Sequence, residues 1–319
     1  SDLVHEYNPT VVQNEISYKD YLTKNRDDVA QDYYDKANEI YSNINYPDSD
    51  DTNYGSGVAA ALSNEQQAKS LMEQGDENTD DQATMRIQYD QAEASLAKQA
   101  EDLMITYWTQ YYNLDSQKAS IDEAKLSFRS EQNRLAAGMS TQAKVLSAKE
   151  SVTSAEAALV TAESDLASTK ESLCLMLGWG YGADVEIAEL ADPDQSKIAA
   201  IDVSADIQTA LENSYDYRLT KKQLTNARTD SVKEKLSETE KNQRETISNS
   251  VKSAYDSLLL AQSEYEQAQS ALALQEVSMK SADAKLAAGT ITKNTYESQK
   301  ASYTTAQVTA RTQKLSLLQ

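Results

Sequence analysis

Glycine and proline are scarce in this chain, with 8 Gly and 3 Pro among 319 residues. An average protein carries about 12% of these two residues together, so few tight turns can form here. Ala, Ser, Gln, Glu, Lys and Leu dominate instead, and most of these are good or tolerated helix formers. The composition therefore predicts an all-α fold.

Cysteine, histidine and long apolar runs are nearly absent. Cys174 is the only cysteine, which excludes an intramolecular disulfide, and His5 is the only histidine. No run of 18 apolar residues occurs, so no transmembrane helix is expected. Ser1 begins no signal peptide, and we expect it to be a mature or trimmed N-terminus.

The charge is strongly one-sided. Asp and Glu number 51 against 30 Lys and Arg, a formal net charge of -21, and the acidic residues are spread along the chain. Such a chain repels the phosphate backbone of nucleic acids, which excludes DNA and RNA as partners.

Catalytic and cofactor-binding patterns are missing as well. The sequence contains no glycine-rich phosphate loop and no G-x-S-x-G, and neither His5 nor Cys174 has a partner for nucleophilic catalysis or a zinc site. The acidic segment 48–53 resembles the start of a calcium loop, but Asn53 and Ala59 stand where that loop needs Gly and Glu. A solvated acidic loop is the favoured interpretation. We predict no enzyme, no cofactor and no metal.

The chain contains an internal duplication. The segment Leu135–Thr141 (Leu-Ala-Ala-Gly-Met-Ser-Thr) returns as Leu286–Thr292 (Leu-Ala-Ala-Gly-Thr-Ile-Thr), at an offset of 151, the distance from Gly138 to Gly289. The same offset relates two series of apolar residues at seven-residue spacing: Ala100, Tyr107, Leu114, Ile121, Phe128 and Leu135, and then Val251, Leu258, Tyr265, Leu272, Met279 and Leu286. Each series predicts a coiled-coil seam.

Each repeat is predicted to be a long antiparallel helical hairpin. In the first, helices over about 82–137 and 141–177 are joined at Gly138, which takes the left-handed conformation that ends a helix. Ser140 or Thr141 is expected to cap the returning helix, and Thr292 does the same after Gly289.

The remaining boundaries are less regular. We expect a helix over 18–41, a loop over 45–57, helix again from near 58 with an interruption at 75–81, and a short strand within 183–193. The second copy begins near Ser204 as an N-cap, and one or two helices fill the stretch up to Gly289. The predicted domains are 1–190, the first repeat with its N-terminal helix, and 191–319, the second repeat.

The duplicated hairpin with its Leu-Ala-Ala-Gly-x-x-Thr tip, its Ala-x-x-x-Leu returning helix and the Leu177-Gly178 end resembles the TolC-like outer-membrane efflux proteins. The resemblance covers about residues 82–319. It implies a homotrimer whose helices form an α-barrel, a tube of the TolC-like kind. It also implies two partners, a membrane-fusion (adaptor) protein and an inner-membrane transporter.

The resemblance also places the adaptor contacts at the hairpin tips. The residues concerned are Leu135, Ala136, Ala137, Gly138, Met139, Ser140 and Thr141, and Leu286, Ala287, Ala288, Gly289, Thr290, Ile291 and Thr292. Family members also carry two membrane-spanning strands per repeat, each needing about 9–11 alternating residues. No such segment lies in 204–288, and we expect these strands to be missing.

Two functional hypotheses follow. In the first, the chain is the helical duct of a tripartite efflux or secretion system, exported to the cell envelope. In the second, the same hairpins form a coiled-coil spacer or envelope scaffold without a lumen. A tube requires helices with an apolar seam toward each of two neighbours, whereas an isolated hairpin requires only one.

Overall fold

The computed structural model describes residues 2–50 and 52–319. Over these residues the chain forms helices and no strand, which confirms the all-α prediction. The helices of the first part are α1 Asp2–Tyr7, α2 Pro9–Tyr18, α3 Arg26–Asn43, α4 Tyr54–Glu77, α5 Gln82–Ala136 and α6 Gln142–Met176. Those of the second part are α7 Gln195–Ala199, α8 Val203–Asn213, α9 Tyr215–Asn226, α10 Asp230–Ala287 and α11 Lys293–Leu318.

The chain divides into two compact units. The first, here called the N-terminal unit, comprises residues 1–95 and 202–253, and the second, the tip unit, comprises 96–201 and 254–319. Helices α5 and α10 each contribute to both. This division differs from the predicted repeats 1–190 and 191–319, because each unit draws on both repeats. The repeat boundary stays a prediction.

In the N-terminal unit, α3 and α4 pack together as an antiparallel pair. Arg26, at the start of α3, is buried and donates hydrogen bonds to backbone carbonyls at the end of α4: Gly75 at 3.3 Å, Asp76 at 2.9 Å and Asn78 at 2.8 Å. The carbonyl of Gly75 also accepts from the backbone N–H of Asn78 at 3.3 Å. Arg26 adds to that bond and supplies donors to the carbonyls of Asp76 and Asn78, which the end of the helix leaves open.

Where α4 passes α3, one position requires glycine. A Cβ atom on Gly75 would lie 2.3 Å from Cε1 of the Tyr34 ring, which is closer than two non-bonded carbon atoms can approach. Gly75 is therefore a helix residue that permits close packing, and the helix continues to Glu77. The interruption predicted over 75–81 begins only at Asn78.

Two helix starts differ from the predicted boundaries. The helix expected over 18–41 is broken after a 3-10 turn at Lys19–Tyr21, and α3 starts anew at Arg26. Asn25 causes this start, since its side chain accepts hydrogen bonds from the backbone N–H of Asp27 and Asp28. Helix α4 begins at Tyr54, within the loop predicted over 45–57.

The stretch before α10 is also more divided than predicted. Asp202 caps α8, so the prediction that Ser204 is the N-cap is wrong. Ser214 ends α8 and caps α9, accepting a hydrogen bond from the backbone N–H of Tyr217. A second break at 227–229 precedes α10. Polar capping residues thus make turns where glycine and proline are absent.

In the tip unit, four long helices lie in the order α6, α5, α11, α10. An ion pair of 2.8 Å between Lys125 and Glu156 joins α5 to α6. Tyr112 of α5 packs with Val308 and Leu315 of α11 in a buried cluster. A hydrogen bond of 2.7 Å between Gln299 and Gln275 joins α11 to α10. Helices α6 and α10 are therefore the outer members of this layer.

The segment 183–193 is extended but forms no strand, so this prediction is wrong. Side chains of α5 and α11 bind it instead of a neighbouring strand. Trp108 donates to the carbonyl of Ala188 at 3.1 Å, and Lys314 donates to the carbonyl of Leu190 at 3.3 Å. The segment is thus fastened along the helices by side-chain contacts.

Candidate functional site

The first hairpin tip has the geometry that the sequence predicts. Gly138 has a φ of 73°, in the left-handed region. Its N–H donates to the carbonyl of Leu135 at 2.9 Å, and the N–H of Met139 donates to that of Arg134 at 2.7 Å. This pair of bonds is the Schellman motif, which satisfies the last carbonyls of α5. The predicted helix end at Gly138 is confirmed.

Of the two residues predicted to cap the returning helix, Ser140 and Thr141, it is Thr141 that does so. The Thr141 side chain accepts a hydrogen bond from the backbone N–H of Lys144 at 3.4 Å and caps α6. The hydroxyl of Ser140 donates to the Glu131 carboxylate at 2.5 Å instead. Ser140 therefore fastens the tip back onto α5.

The second tip repeats the first. Gly289 has a φ of 69°, its N–H donates to the carbonyl of Leu286 at 3.0 Å, and the N–H of Thr290 donates to that of Lys285 at 2.9 Å. Thr292 accepts from the backbone N–H of Thr295 at 3.2 Å and caps α11, as predicted. The duplication thus extends to individual backbone hydrogen bonds.

The two hairpins meet at their tip end. A groove of about 390 Å³, here called the tip groove, is lined by Leu126, Arg129, Ser130, Asn133, Arg134 and Met139 of the first hairpin and by Lys293 and Asn294 of the second. Since Met139 follows Gly138 and Lys293 follows Thr292, both turns lie at the same end of the tip unit.

The predicted adaptor-contact residues differ in exposure. Met139 is 66% exposed and protrudes from the first tip. Ile291, at the second tip, is half-buried and lines a separate groove with Val277 and Ala282. The alanines and Thr290 and Thr292 are exposed, whereas Leu135 and Leu286 are half-buried over the seams. Met139 is therefore the apolar side chain best placed to contact a partner.

Sequence reasoning missed three cations beside these residues. Arg129, Arg134 and Lys293 all line the tip groove, and no carboxylate lines it. Glu123 and Glu297 line a neighbouring groove that shares Leu126, Ser130 and Asn294 with the tip groove. Two other nearby carboxylates are engaged elsewhere. Glu131 accepts from Ser140 and lies 3.4 Å from Arg134, while a hydrogen bond to Asp283 raises the pKa of Tyr296. A charge count along the tips would have found the signal.

The conformation of Gly138 gives a test of the tip. Replacing Gly138 with Ala should lower the free energy of unfolding by about 1–2 kcal/mol, because the left-handed region is unfavourable for a residue with a Cβ. Gly180→Ala is the matched control, since a Cβ at either position meets no atom within 4 Å and Gly180 lies outside the left-handed region. Urea denaturation measures both. Equal losses of unfolding free energy in the two variants would contradict a role for the left-handed backbone conformation of Gly138.

The other positions that the sequence analysis considered for catalysis or metal binding are Cys174, His5 and the acidic segment 48–53. Cys174 is buried, and burial raises the pKa of its thiol. His5 lies 2.6 Å from Glu93 through its Nδ1 atom. Across residues 2–50 and 52–319, no three His, Cys, Asp or Glu side chains are grouped to hold a metal ion. Asp51, in the acidic segment 48–53, lies outside the described residues.

Among the helices of the described residues, none combines the length and the apolar character needed to cross a membrane.

Comparison with solved structures gives alignments over nearly the whole chain. The outer membrane protein VceC from Vibrio cholerae aligns at 13% identity over 99% of this chain and 93% of its own, with a TM-score of 0.47. A membrane protein from Pseudomonas aeruginosa aligns at 11% identity over 99% and 88%, with a TM-score of 0.49. The CmeC outer membrane channel of Campylobacter jejuni aligns at 11% over 99% and 82%, with a TM-score of 0.45.

Comparison of sequences matches nearly half of the chain to one family. No curated protein matches the sequence. The family model described as outer membrane efflux protein matches residues 23–179, from the turn before α3 through the whole first hairpin to Trp179. The second hairpin repeats that hairpin at the offset of 151. The part of the chain from residue 23 to residue 179 is therefore similar to the outer membrane efflux protein family.

Proposed function

We propose that the chain forms, as a homotrimer, the helical export duct of a tripartite efflux or secretion system in the cell envelope. In this proposal the two hairpin tips dock a membrane-fusion (adaptor) protein, which connects the duct to an inner-membrane transporter. The match of residues 23–179 to the outer membrane efflux protein family supports the general role. The duct, the trimer and the tip contacts are the parts that the proposal adds.

The observation that carries the proposal is the apolar surface of the two outer helices of the tip unit. Leu146 and Val160 on α6 are 64% and 66% exposed. Leu260 and Leu274 on α10 are 62% and 64% exposed. Within each pair the residues are two heptads apart, so they lie on one face of their helix. Each outer helix therefore presents a broken apolar stripe, interrupted by Thr153 on α6 and by Gln267 on α10, that its own hairpin leaves uncovered.

The positions of these two stripes favour a ring of several copies of the chain. The inner helices α5 and α11 already have neighbours on both sides, so only α6 and α10 need another partner. Contact between α6 of one copy and α10 of the next is a head-to-tail interface, which forms a closed ring when the rotation from copy to copy adds up to a full turn. Three copies with four helices each give the twelve-helix wall that the family resemblance implies. Burial of exposed leucine and valine stabilises such contacts.

Mass in solution tests the ring. Light scattering of the full chain should give three times the 35.2 kDa of one chain. Val160→Glu and Leu274→Glu should each shift the mass toward one chain, because an unpaired charge buried in the interface costs several kcal/mol. Ser151→Glu, on an exposed position of α6 that faces away from Val160 and Leu146, is the matched control and should leave the trimer intact.

A monomeric wild-type chain under the same conditions would contradict the duct. The alternative hypothesis, a coiled-coil spacer or envelope scaffold without a lumen, would then give the better account of the two hairpins.

A further inference from the structure

The tip groove differs in charge from the rest of the molecule. It is lined by Arg129, Arg134 and Lys293 without any Asp or Glu, although the chain as a whole carries a net charge of -21. The matched tip segments 129–149 and 280–300 contain eight Lys or Arg and three Asp or Glu. The rest of the chain then holds 22 basic and 48 acidic residues, by subtraction from 30 and 51. The tip end is therefore a positive patch on an acidic protein.

The positive charge of the groove is poorly compensated within the chain. Across the described ranges, Arg129 and Lys293 form no ion pair, and Arg134 has only Glu131, at 3.4 Å, with its side chain half-exposed. Glu131 in turn already accepts the hydroxyl of Ser140. Helix α11 begins at Lys293, and the N-terminal end of a helix adds partial positive charge. The groove thus attracts carboxylates.

We infer that the tip groove binds an acidic loop at the end of the adaptor's docking hairpin, with one or more Asp or Glu side chains entering between the three cations. This inference rests on the proposed function, and it adds the chemistry of the partner surface. Arginine guanidinium groups bind carboxylates with two parallel hydrogen bonds, and Asn133 and Asn294 supply further amide donors at the same place. Met139 provides an adaptable apolar contact beside them.

Charge and size together favour a loop over an extended polyanion. A long anionic polymer or an anionic membrane would also meet the acidic residues beyond the tips and be repelled by them. A groove of about 390 Å³ has room for only a few side chains. A short acidic turn meets both conditions, and the field of the tip would steer it toward the groove.

The experiment uses the protein as it assembles in solution and two synthetic probes. Each probe is a two-helix hairpin peptide closed by a disulfide, with three Asp in its loop in one version and three Asn in the other. Fluorescence anisotropy measures binding at low and at high salt. The Asp peptide should bind about tenfold more tightly than the Asn peptide at low salt, and the difference should shrink as salt screens the charges.

Two triple variants with the same change in net charge locate the site. Arg129→Gln, Arg134→Gln and Lys293→Gln together should remove the preference for the Asp peptide, a loss of about tenfold. Lys69→Gln, Lys235→Gln and Lys252→Gln, on exposed lysines away from the tips, should leave it within about twofold. Equal losses in both triples would show that only net charge matters and would overturn the inference.

The outcomes separate this inference from the proposed function. If both peptides bind equally and Met139→Asp abolishes the binding of both, the tips dock a hairpin but have no acidic preference, and the inference alone fails. If neither peptide binds and export is unaffected by variants at the tips, the inference and the tip-docking part of the proposed function fail together.

Discussion

Export by cells that depend on this protein should fall to the level of cells lacking it when Met139 is replaced with Asp. The Met139 side chain is 66% exposed at the first tip and lines the tip groove with Arg129 and Arg134. A carboxylate at this position would pair with those cations and repel an acidic partner. Like charges placed together at a contact cost several kcal/mol, enough to abolish a micromolar interaction. Export of a toxic compound, measured as survival, gives the readout.

The folded state should be nearly unaffected by this change. Met139 lies outside the heptad seams and contributes little buried area, so helicity and the melting temperature should stay close to those of the wild type. Met139→Leu is the matched control and should preserve export. Ile291→Asp is a poorer probe, because Ile291 is half-buried and its replacement also costs packing. Full export by Met139→Asp would show that the first tip does not dock a partner.

The tips were predictable because their determinants are local. A left-handed residue at the end of a helix favours glycine, and the caps that follow need a hydroxyl or amide within three residues. Gly138 with Thr141 and Gly289 with Thr292 meet both conditions within a few positions. The shared offset then shows that the same local solution occurs twice, and the structure repeats it bond for bond.

The helix breaks outside the tips were harder to predict. Asn25 and Ser214 interrupt stretches that have helical composition throughout, and the reason lies in their side-chain hydrogen bonds to the following backbone. Asn and Ser also occur inside helices, so these residues alone do not identify a break. The pair Asn25 and Asp28 forms a reciprocal capping box, and this spacing was the available signal.

The strand predicted within 183–193 was wrong for a different reason. Val185 and Ile187 alternate with acidic residues, a pattern typical of a strand, but a strand also needs a neighbouring strand for its backbone groups. Here the partners are side chains of Trp108 and Lys314, distant in sequence. The tip groove was missed likewise, because Lys293 joins Arg129 and Arg134 only through the packing of α11 against α5.

The junction of α3 and α4 depends on one buried cation. Arg26 is 9% exposed, and its guanidinium donates to three carbonyls at the end of α4 and forms an ion pair with Asp27 at 3.0 Å. The amide of Asn78 returns a bond to the backbone carbonyl of Arg26 at 3.1 Å. The network is reciprocal, so the loss of one member leaves several buried polar groups without partners.

Replacing Arg26 with Leu should therefore lower the free energy of unfolding by about 3–5 kcal/mol, because each buried carbonyl left without a donor costs about 1–3 kcal/mol. Urea denaturation followed by circular dichroism measures the loss. Arg228→Leu is the matched control: Arg228 contacts the same Asp27, but both side chains are 60% exposed, so its loss should cost less than about 1 kcal/mol. Similar losses for the two variants would show that Arg26 acts only through its charge on Asp27, and that the carbonyls at the end of α4 do not depend on it.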